Sequence, residues 1–165
     1  MTIDHLEERV KDYSLSINKV LEKKQRWRST TKDLLVNTLK AIEEKYKIGW
    51  VVQELNWMFY NESVNLTFKE LPGSILNSSG QIKEGDFITG GSLVFSQAQN
   101  GDVVVFILFP QVENLVVDKN SMDLGTYRPE TVTERLIIEK VDEFLKEMIR
   151  WEVPAQDHKI GFMSG

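Results

Sequence analysis

The sequence predicts an α+β domain: an N-terminal helix or helix pair, an antiparallel sheet of four to five strands built from hairpins, and a C-terminal helix packed on that sheet. Three observations carry this. Strand-like segments are grouped between helical ones rather than alternating with them, which points away from a parallel sheet. Asn100-Gly101 sits between two apolar runs, a strong hairpin signal. A broad apolar stripe runs from Val132 to Trp151, the mark of a helix lying on a core.

The first element is helical. Ile3, Leu6, Val10, Tyr13, Ile17 and Val20 are spaced alternately three and four, which draws one narrow seam down a helix. Lys24 breaks the seam and Trp27 rejoins it, while Leu15 and Leu21 lie off or beside it. So narrow a stripe suits a long helix that touches one partner surface. Ser29-Thr30-Thr31 interrupts the pattern as a candidate cap, with Thr30 and Asp33 forming a weak capping-box variant. A second helix is expected from about Lys32 to Tyr46, and one long bent helix is equally allowed.

From Trp50 to Tyr60 aromatic and β-branched residues predict a strand, with Asn61-Glu62-Ser63 turning the chain. Val64, Leu66 and Phe68 then alternate with Asn65, Thr67 and Lys69, the pattern of a half-buried strand that Pro72-Gly73-Ser74 ends. Residues 75–91 form a long connection, and Phe87-Ile88-Thr89 is a candidate short strand within it. Ser92–Ala98 and Val103–Phe109 flank Asn100-Gly101, which suits a type I′ turn. The second of these strands is apolar on both faces and so is expected to be central and covered twice. Leu115-Val116-Val117 is another candidate strand, and residues 118–128 read as polar and irregular. Pro129-Glu130 is expected to open the last helix, and Val153-Pro154 to end it. The whole chain, 1–165, reads as one domain with 155–165 an extended tail. The core is expected to unite Leu66, Phe68, Phe95, Val105, Ile107, Val141, Phe144 and Met148.

Composition narrows the function classes. The chain has 165 residues, no cysteine and two histidines near opposite termini. This removes disulfides, thiolate nucleophiles and sulfur-ligated zinc, and His5 and His158 read as solvated surface residues. No catalytic constellation, metal site or cofactor fingerprint is found, so no cofactor is expected. No signal peptide or membrane-length apolar run is read, and the chain is expected to be soluble and cytoplasmic. Net charge is −5, unevenly spread: residues 1–48 hold 11 Lys/Arg against 8 Asp/Glu, and the remainder 9 against 17.

Three function classes follow, in order. The first is a non-catalytic protein-binding or scaffolding domain, a homodimer built from the N-terminal helix, the open sheet face, or both, with Val10, Tyr13, Ile17, Lys23, Lys24, Arg26, Trp27 and Arg28 as candidate partner-binding residues. In layout and acidic balance the chain resembles the small dimeric α+β chaperones of secretion systems, a resemblance that carries no residue across. The second is a small-molecule-binding or hydrolytic domain. Glu54, Asn56 and Tyr60 share a strand parity with Trp50, Val52 and Met58 and could line a pocket beneath the 75–91 loop. The third, ranked last on an acidic total, is nucleic-acid binding through Lys23–Lys32, with Trp27 stacking on a base.

Overall fold

The computed structural model describes residues 2–56, 61–69, 88–112 and 120–153. Its N-terminal element is one continuous helix rather than two. A short 3₁₀ turn (Ile3–Leu6) leads into α1 (Glu7–Arg26), then a π-helical turn (Trp27–Thr31), then α2 (Lys32–Lys45). The expected break at Ser29-Thr30-Thr31 is therefore a bulge and not a cap. Thr31 keeps helical backbone angles and makes no capping bond, and the Lys32 N–H reaches back five residues to Trp27 O. The bulge turns Trp27 and Thr31 into the protein interior. Thr31 Oγ1 donates to Pro129 O at 3.2 Å, which fastens the π turn to the start of the C-terminal region.

The sheet has five antiparallel strands: β1 (Trp50–Asn56), β2 (Glu62–Phe68), β4 (Ser92–Gln97), β5 (Val103–Leu108) and β7 (Ser121–Tyr127), adjacent in that order. A separate two-residue pair joins β3 (Ile88–Thr89) to β6 (Gln111–Val112). The last helix, α3 (Glu134–Glu152), and α2 cover one face of the sheet. Register explains the core. Trp50 stands opposite Phe68, Leu66 opposite Leu93, Phe95 opposite Val105, and Ile107 opposite Met122, so apolar side chains form continuous rows on the helix-facing side. Phe68 links the rows to α3, with its ring 5.6 Å from that of Trp50 and 5.8 Å from that of Phe144. All eight residues expected in the core lie in this cluster, Phe68 at its partly buried margin.

Several elements depart from the sequence expectation. β2 begins at Glu62, so Glu62 and Ser63 belong to the strand and not to a turn. β2 is also buried on both faces: Ser63 and Asn65 are buried alongside Val64 and Leu66. β5 has one fully buried face, Val103, Val105 and Ile107, while Val104, Phe106 and Leu108 are only half-buried.

The hairpin tip lies where expected but is a three-residue loop, because Gly101 N–H bonds Ala98 O at 3.0 Å and Ala98 N–H bonds Asp102 O at 2.8 Å. Asn100 Oδ1 takes the Asp102 N–H that a type I′ turn would have used. Residues 121–127, expected to be irregular, form the edge strand β7. Opposite Val105, Leu124 and Gly125 occupy one ladder position, and Gly125 has φ +112°. Pro129–Thr131 is a separate 3₁₀ turn, and α3 starts at Glu134 because Thr133 caps it, accepting from Leu136 N–H at 3.2 Å.

Lys140 is buried on α3. Burial would lower its pKa, but the hydroxyl of Tyr127 and the carboxylate of Glu143 more than offset this and hold it above the usual value. Pro72-Gly73-Ser74, most of the 75–91 connection, Leu115-Val116-Val117 and the tail 155–165 lie outside the described residues.

Candidate functional site

The seam on α1 stands apart from the rest of the molecule. An isolated helix of this kind is stabilised mainly by packing its apolar face, yet none of the 20 residues of α1 is buried. Ile3, Leu6, Val10, Tyr13 and Ile17 are all between 43% and 85% exposed. Leu21 extends the same stripe on one flank and is also exposed. Only from Val20 onward does the seam turn inward, reaching full burial at Trp27 and continuing into Leu35 and Leu39 of α2. One stripe therefore packs on its own sheet in its C-terminal half and is open in its N-terminal half.

The body of the domain grips α1 near its C-terminal end. The loop of the β4–β5 hairpin lies against Val20–Lys24: a Cβ placed on Gly101 would fall 2.7 Å from Lys23 Cβ and 3.1 Å from Val20 O. Lys23 Nζ pairs with Asp102 Oδ1 at 3.0 Å, with both side chains about 20% exposed.

The residues singled out from sequence separate into groups here. Val10, Tyr13 and Ile17 stand together on the open seam. Lys23 is engaged by Asp102, and Lys24 is half-buried beside it. Arg26, the last residue of α1, and Arg28, in the π turn, remain exposed. Trp27 requires correction: it is fully buried, so its indole offers no face for a base to stack upon. Its Nε1 finds no acceptor among the described residues. A cleft of about 460 Å³ beside this region is lined by Lys19, Glu22, Lys23, Arg26, Arg128 and Glu130, a mixed-charge lining in which Arg128 and Glu130 pair at 3.5 Å.

Glu54 and Asn56 do share the helix-facing side of β1, since Glu54 stands opposite Val64 and Asn56 opposite Glu62. Both are exposed at the far end of the strand. Lys32 of α2 meets the end of this row, hydrogen-bonding Glu62 and lying 3.5 Å from Glu54. The bond to Glu62, and then the charges of Glu62 and Glu54, hold Lys32 above its ordinary pKa against the opposing effect of burial. Glu54 is thus the rim of an ionic cluster, with Gln97 Oε1 accepting from Glu62 N–H at 3.0 Å behind it. Tyr60 lies outside the described residues.

Among the described residues no group of His, Cys, Asp or Glu is placed to hold a metal ion, and no helix is long and apolar enough to cross a membrane. Comparison with protein-family models, with curated proteins and with solved structures finds no match.

Sequence reasoning found the seam but missed the hairpin contact that anchors it. The signal was present in Asn100-Gly101-Asp102 facing Lys23. It required knowing that the loop meets the helix, which no local pattern encodes.

Proposed function

We propose that this chain is a non-catalytic protein-interaction domain, scaffolding or chaperone-like in character, that uses α1 as its binding element and assembles as a homodimer. The exposed row Ile3, Leu6, Val10, Tyr13 and Ile17 supports this reading. Water-exposed β-branched and leucine side chains at heptad spacing serve no purpose for an isolated domain, but they supply what a helix partner needs. Symmetric pairs are the commonest oligomers, and self-association needs no second gene product. Sedimentation equilibrium at micromolar concentration tests the proposal. The expected mass is twice 19.1 kDa. Val10→Asp with Ile17→Asp should return the mass to that of one chain while the cooperative unfolding transition of the core is retained, because neither side chain contributes to the core. A wild-type chain that sediments as a monomer throughout refutes the homodimer.

A further inference from the structure

We draw no further inference here: the strongest candidate, the exposed apolar row of α1 from Ile3 to Ile17, belongs to the surface already described, and nothing in the structure shows what covers it.

Discussion

Replacing Gly101 with alanine tests how closely the β4–β5 hairpin is bound to α1. Gly101 has φ +88°, a left-handed conformation that costs an L-residue about 1–2 kcal/mol. The new methyl would also sit 2.7 Å from Lys23 Cβ, and since Val20 O is only 3.1 Å away it has nowhere to turn. Either the loop or the helix must withdraw, and withdrawal lengthens the 3.0 Å Lys23–Asp102 pair, worth up to about 1 kcal/mol at its level of exposure. The combined loss is about 2–4 kcal/mol, a melting shift of roughly 4–16 °C for a domain of this size. Urea denaturation followed by far-UV circular dichroism measures it. Gly101→Asn provides the control: asparagine tolerates the left-handed region but keeps the added Cβ, so its loss should be smaller while still present. A Gly101→Ala variant within about 0.5 kcal/mol of the parent would show that the loop does not bear on the helix, and that α1 is free at Val20 as well.

Phe144, fully buried beneath Phe68, should lose about 3–5 kcal/mol on truncation to alanine, read as a lower urea midpoint; an unchanged midpoint would mean that α3 does not lie on the sheet. The Lys32 cluster predicts an alkaline limit. Because Lys32 is raised above 10.5 in the folded state, chiefly by its bond to Glu62, its contribution is complete below 10.5 and is lost as pH rises through the folded value. Chemical denaturation across that alkaline window should show a shallower decline for Lys32→Met than for the parent chain, and identical slopes would show that Lys32 is not coupled to folding.

The parts of this architecture that were legible in the sequence are those with an unbroken period. The C-terminal stripe from Ile137 to Met148 and the alternation Val64-Leu66-Phe68 each hold one rhythm, and each is where it was expected. β7 was illegible because its bulge breaks the count. Met122 and Leu124 alternate properly with Ser121 and Asp123, and then the extra residue at Gly125 shifts Tyr127 to the opposite parity. Ladder bonds to β5, not local preference, make those residues a strand. Asn100-Gly101 announced a turn correctly, but the side chain of Asn100 decided which turn by capturing the Asp102 amide.

For the candidate surface, the heptad spacing placed Val10, Ile17 and Trp27 on one line, of which the structure leaves Val10 and Ile17 open and buries Trp27. What the spacing could not show is where exposure ends and burial begins. That boundary is set by the hairpin loop, a contact between residues about 80 positions apart, as in the Lys23–Asp102 bond.

The π turn at Trp27–Thr31 has a geometric consequence of its own. Such a turn is a regular helix carrying one residue too many, and each residue of an α-helix advances about 100° around the axis. Trp27–Thr31 takes up that extra residue within one turn. Deleting one residue there, Ser29 for example, should restore an ordinary α-helix with the projecting part near its present bearing. The same deletion in α1 between Ile17 and Val20 would swing Val10 and Ile17 around the axis by about 100°.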